Sequence, residues 1–156
     1  MNAKETSLGG LKAGGVIATT NILILIVLKV AGYDEYPKDM ISGEVMLFGQ
    51  FTMMMVLTLF IVGTVGAFVW MWMHEKWGDG AWVHFGVLAL ILATLETLWT
   101  CGILTGTSAG SEEARIVVGV LHYTTALLGG FWLIPHFSPT GCTCGMCPIC
   151  NADTED

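Results

Sequence analysis

Residues 81–104, AWVHFGVLALILATLETLWTCGIL, and residues 114–136, ARIVVGVLHYTTALLGGFWLIPH, decide the fold. They are joined by TGTSAGSEE at 105–113. As helices, each run would be about 35 Å long at 1.5 Å per residue, enough to cross a hydrocarbon layer of about 30 Å. Each carries one ionisable residue well inside it, Glu96 in the first and His122 in the second. Water must be replaced by something around such groups, because a charge in hydrocarbon is costly unless it is protonated, paired or hydrated.

Two more runs lie upstream. One spans about 14–31, the other about 45–73. Between them, GYDEYPKDMISGE is polar, and Pro37 blocks continuation of a helix. Ser42 and Glu44 suit the start of the second span, as cap and as acid at the positive end of the helix dipole. The second span ends in VWMWMHEKW, where tryptophans followed by charge mark a membrane surface. Asp79 in the following turn can cap the third span, at 81–104. Ser111 with Glu112 and Glu113 forms a strong start for the fourth, at about 114–135, where Pro135 and Pro139 end it. The first run is read as a retained span, not as a cleaved signal.

The expected fold is therefore all-α: an integral membrane protein built as an antiparallel four-helix transmembrane bundle over residues 1–137. A short cysteine-rich tail, 138–156, follows it. Short turns between long helices place neighbours antiparallel. An even number of spans puts both termini on one side. Lysines and arginine divide equally between the two sides, and the lysines ahead of the first span, Lys4 and Lys12, favour a cytoplasmic one.

Composition agrees. Only 12% of the residues are charged and 54% are hydrophobic, where soluble domains carry about 25% charged residues. A net charge of −7 excludes nucleic acid as a partner, since phosphates demand neutralising cations. The partners expected are membrane lipids and either other membrane subunits or further copies of the chain.

Counting inward from the 105–113 loop, Glu96 and His122 reach the same depth within one helical step of about 1.5 Å. Small residues flank both: Gly119, Ala126 and Gly129 around His122, and Ala89, Ala93 and Thr100 around Glu96. Such residues mark close helix contacts in membranes. The pair is therefore expected to face the bundle interior or a partner. Met53, Met54, Met55 and Asn21 fall at a similar level. A pair of this kind can relay protons, line a quinone or substrate pocket, join methionine in a metal site, or serve structure alone by fixing helix register or pairing with another subunit.

A second group gathers where the terminal-side surface should lie: Met71, Met73, His74, His84 and His136. Two imidazoles on facing helices can hold a haem, and Met54, Met71 or Met73 with His74 offers soft donors to copper(I). Interfacial placement beside tryptophan explains the histidines as well.

The tail places Cys142, Cys144, Cys147 and Cys150 within nine residues, as C-x-C-x2-C-x2-C. A C-x2-C knuckle lets two thiolates converge on one ion, and four complete a tetrahedral zinc site. Residues 144–150 also have the spacing of an iron–sulfur cluster ligand run, without its usual fourth cysteine and proline. Copper(I), disulfides and free thiols are further readings. Cys101, inside an apolar run, reads as a small packing residue.

No nucleotide loop, nucleophile elbow, HExxH or hydrolytic acid pair occurs. These features fit an accessory subunit, without catalysis of its own, in a larger membrane-embedded redox or metalloenzyme complex. Two other readings stay open. One is electron transfer with bound haem or quinone. The other is proton or ion transport through Glu96 and His122.

Overall fold

The computed structural model describes residues 2–38, 44–101 and 111–139, with Asp79 described by its backbone alone. Four helices dominate: α1 (Ala3–Val30), α2 (Phe48–Trp77), α3 (Ala81–Thr100) and α4 (Glu112–Phe137). All four are long and apolar enough to cross a membrane. Ser42, residues 102–104 and the four tail cysteines lie outside the described residues.

Helix α1 begins at Ala3, ahead of the stretch where hydrophobicity starts. Asn2 caps it, its side chain accepting from the Glu5 amide. Packing of small residues explains why this polar lead is helical. Gly10 and Gly14 lie directly on α2, where a Cβ on Gly10 would fall 2.6 Å from the Gly63 carbonyl oxygen and one on Gly14 would fall 2.7 Å from that of Leu59. Gly9 meets the backbone of Phe137 in the same way. Backbones this close gain dispersion and leave no space for side chains, the usual means of helix association in lipid.

The end of α1 follows from Gly32. Its φ of 96° is open to glycine and strained for other residues. With that turn, the Tyr33 amide reaches the Leu28 carbonyl at 2.9 Å and the Gly32 amide reaches that of Lys29 at 3.1 Å. These are the paired bonds of a Schellman stop. Beyond it, Tyr36 stacks on Phe51 at 5.3 Å between ring centres and meets Phe48 edge-on. Lys29 extends its ammonium over the Phe48 ring, 4.4 Å from the centre. Helix α2 is closed at its start by Gln50, whose Oε1 accepts from the Leu47 amide at 3.0 Å.

Gly78, with φ 58°, turns α2 into α3 through a single tight turn. Gly80 holds the N-cap position of α3, and no side chain bonds there. Helix α4 starts as its sequence demands: Ser111 accepts from the Ala114 amide at 3.2 Å, and Glu112 and Glu113 occupy the first turn.

Pro135 does not end α4. The helix widens instead into π geometry over Ala126–Leu133 and then runs on through Pro135 to Phe137. A proline inside a helix lacks an N–H and crowds the carbonyl four residues earlier. Widening relieves that crowding, and the Ile134 amide now reaches back to Gly129. The extra residue turns the two glycines apart. Gly130 meets Ala89 of α3, and Gly129 meets Ile17 of α1. The core between the helices is held by Ile17, Leu25, Val117, Leu59 and Trp70 among others, all buried.

Candidate functional site

Polar side chains in the middle of the bundle form a band along the α3–α4 seam and across to α1. Its outermost member is Glu96, whose side chain is 55% exposed. Its Oε1 stands 3.9 Å from Nε2 of His122, which is 23% exposed. The two depths counted from the loop thus coincide. The side chains differ in aspect. His122 turns into the seam between α3 and α4, while Glu96 lies on the outer surface of the bundle and not in its interior. Rotation about the helix axis decides this. Ala93, three residues earlier, is the buried residue of that stretch of α3.

Thr97 holds the imidazole from the other side. Its hydroxyl donates to the Ala93 carbonyl at 2.7 Å. The hydroxyl oxygen is then left to accept, and Nδ1 of His122 lies 3.0 Å from it. With that hydrogen committed, Nδ1 is the imidazole nitrogen placed to donate to Thr97, and Nε2 is the one that faces Glu96. At 3.9 Å the two groups are within ion-pair range and outside hydrogen-bond distance.

One turn away, Thr94 repeats the pattern. Its hydroxyl donates to the Leu90 carbonyl at 2.8 Å, and Tyr123 Oη lies 3.0 Å from Thr94 Oγ1. Tyr123 Oη is thereby placed to donate to Thr94. Further in, Asn21 of α1 is 1% exposed, and its amide donates to Thr125 Oγ1 at 2.7 Å. Asn21 Oδ1 is buried with no partner among the described residues. Thr125 is the last residue before α4 widens, and π segments of this kind recur at functional sites.

The other residues singled out above lie outside this band. Met54 is exposed on the outer surface, while Met55, Met71 and Met73 are buried in the core. Met54 and Met71 are separated by 17 positions of one helix, about 25 Å, so they cannot share an ion. His74 packs on Trp70, His84 on Trp77 and His136 on Phe137. His84 Nδ1 bonds the Gly80 carbonyl at 3.0 Å. Nδ1 of His74 and of His136 are buried without a partner among the described residues. Among those residues, no group of three or more His, Cys, Asp or Glu side chains is placed to hold a metal ion. Cys101, at the end of α3, is buried as a free thiol.

Sequence reasoning had identified Glu96, His122 and Asn21. It had missed Thr97, Thr94, Tyr123 and Thr125. The spacing of Thr94 and Thr97 beside Glu96 was the available signal, since residues three apart share a helix face. Compared with protein-family profiles, with curated proteins and with solved structures, the chain matches none.

Proposed function

We propose that this chain is a membrane-embedded accessory subunit, built as an antiparallel transmembrane bundle with both ends on the cytoplasmic side, and that it belongs to a larger redox or metalloenzyme assembly. The observation that carries this reading is the placement of Glu96. A carboxyl group halfway along an apolar helix is 55% exposed on the outside of the bundle. Lipid tails offer it no hydrogen bond, so an adjoining protein surface is its natural cover. The tail cysteines, Cys142, Cys144, Cys147 and Cys150, supply the ligand set for a zinc ion. Such a metal knuckle would lie outside the bilayer and away from Glu96, able to dock on the same assembly.

Extraction from native membranes in a mild detergent, followed by native gel electrophoresis, tests the reading. The chain should migrate in a complex well above its own 16.8 kDa. A well-behaved monomer, from membranes and in lipid nanodiscs alike, would overturn it. Elemental analysis of the purified chain, against a Cys144→Ser, Cys147→Ser variant, checks the zinc separately.

A further inference from the structure

The hydroxyl hydrogens of Thr94 and Thr97 are both committed within α3. Thr97 donates to Ala93 and Thr94 to Leu90, both backbone carbonyls of their own helix. His122 Nδ1 and Tyr123 Oη are thereby placed to donate to Thr97 and Thr94. Each short chain of bonds ends on a carbonyl that has no proton to pass on. What the band offers outward is lone pairs alone: the carboxyl oxygens of Glu96 and the phenol oxygen of Tyr123, whose residue is 39% exposed. Around them the surface is apolar, with Ile91, Leu92, Leu95 and Trp99 exposed on α3.

From this we infer that the α3 face around Glu96 docks a transmembrane helix of a different protein, one that carries a lysine or arginine at mid-depth. The inference rests on the reading that protein covers this face, and adds the chemistry of that protein. An acceptor-only ledge with a carboxyl group at its centre calls for donors of positive charge. A second copy of this chain cannot supply them. Copies related by an axis along the membrane normal meet at equal depth. The chain has six lysines and arginines, and none lies at the level of His122. Arg115 is seven positions away on the same helix, about 10 Å. Lys29 is eight positions beyond Asn21 on α1; with Asn21 opposite Thr125 and Gly9 opposite Phe137, that puts it five positions, about 7–8 Å, from the level of His122, and its ammonium already sits over Phe48. Lys12 lies nine positions to the other side of Asn21, and Lys4, Lys38 and Lys76 stand at or beyond helix ends. Among the described residues, His122 on α4, itself in contact with Thr97 of α3, is the charged or polar group that meets Glu96, and α1 brings no charge there, Asn21 being bonded to Thr125.

The test uses the full chain in its native membrane, with a photoreactive residue at position 92 or 95 and mass spectrometry of the cross-linked peptides. The expected product is a membrane helix of another protein with Lys or Arg within one turn of the link. Glu96→Gln, which keeps the side-chain shape, and Glu96→Lys should each lower the amount of that protein that co-purifies by about tenfold or more. Exchanging its basic residue for Glu should restore binding to the Glu96→Lys chain. Helicity by circular dichroism confirms that each variant is folded. Cross-links to a second copy of this chain, to a helix without a basic residue, or co-purification that survives Glu96→Gln and Glu96→Lys in folded protein would each overturn the inference while leaving the subunit reading standing. Cross-links to lipid alone would overturn both.

Discussion

Gly10 and Gly63 meet backbone to backbone. A Cβ on Gly63 would stand 2.5 Å from the Gly10 carbonyl oxygen and 2.9 Å from the Gly14 backbone, and one on Gly10 would stand 2.6 Å from Thr64 Cα. The contact is reciprocal, so neither helix can yield by moving a side chain. It also spaces the whole assembly. With α1 held this close to α2, Gly9 is placed against Phe137 and Ile17 against Gly129. The position of α4, and so of His122, depends on a contact far along the bundle.

Gly63→Ala should therefore destabilise the bundle by about 1–3 kcal/mol, the usual cost of overpacking a closed contact. Gly49→Ala is the matched control: nothing lies within 4 Å of a Cβ there. That change should be neutral or stabilise by a few tenths to about 1 kcal/mol through helix propensity. Reversible unfolding in mixed detergent micelles measures both. Equal effects from the two substitutions would refute the close-packing account.

Asn21 and Thr125 form the polar link between α1 and α4 where α4 widens. Asn21→Leu and Thr125→Val, taken singly and together, should show a coupling of about 0.6–1.7 kcal/mol, the range found for hydrogen bonds between membrane helices. Asn21→Leu should cost less than the bond alone would imply. It removes Asn21 Oδ1, which is buried without a partner among the described residues, and an unsatisfied acceptor is itself a cost. The same unfolding assay gives the cycle, and a coupling of zero would mean that the bond does not hold these helices together.

Much of this arrangement was legible in the chain. Four apolar runs fixed the number of helices, and the short loop at 105–113 set the relative depth of Glu96 and His122, because rise per residue is constant in a helix. What counting could not supply was rotation. It assumed regular α geometry through residues 126–133, where one extra residue per π turn rotates everything that follows. Gly129 and Gly130 therefore divide between α1 and α3, and Pro135 lies within the helix and not at its end. The early start of α1 was hidden for a different reason. Residues 3–13 lack an apolar stripe, and they are helical because glycines allow backbone contact with α2 and α4. The outward aspect of Glu96 also needed coordinates. A residue flanked by small side chains can lie at the edge of a contact as easily as within it.

Tyr36 gives a prediction outside the membrane-spanning helices. Burial, reinforced by the negative charge of Asp34, raises its phenol above the ordinary value of 10.0. The folded protein then holds this proton more tightly than the unfolded chain does. Stability from this group is complete below pH 10 and declines as pH rises through the shifted value. Tyr36→Phe should flatten that alkaline decline. At neutral pH it should be nearly neutral, because Tyr36 Oη has no hydrogen-bond partner among the described residues and the ring stacking on Phe51 is kept. Thermal unfolding at neutral and alkaline pH checks the pair; an identical alkaline decline in the variant would exclude Tyr36 as its source.

Thr97 decides which nitrogen of His122 faces Glu96, and this is open to direct spectroscopy. With its own hydrogen committed to Ala93, Thr97 is placed to accept from Nδ1, so Nε2 is the nitrogen that faces Glu96. Nitrogen-15 NMR of labelled histidine should show His122 as the Nδ1–H tautomer when neutral. Thr97→Val keeps the shape of the side chain and removes the acceptor. The Nδ1–H tautomer should then lose its preference, and stability should fall by about 1 kcal/mol, a typical figure for one lost hydrogen bond. Thr97→Ser keeps the hydroxyl and should preserve the wild-type spectrum. Glu96→Gln offers a second check, since a carboxamide can present its N–H to Nε2 and so retain the same tautomer. Neutral His122 found with its hydrogen on Nε2 in the unaltered chain would reverse the direction of the whole band. The ledge would then present a donor to Glu96, and the requirement for a cationic partner would weaken with it.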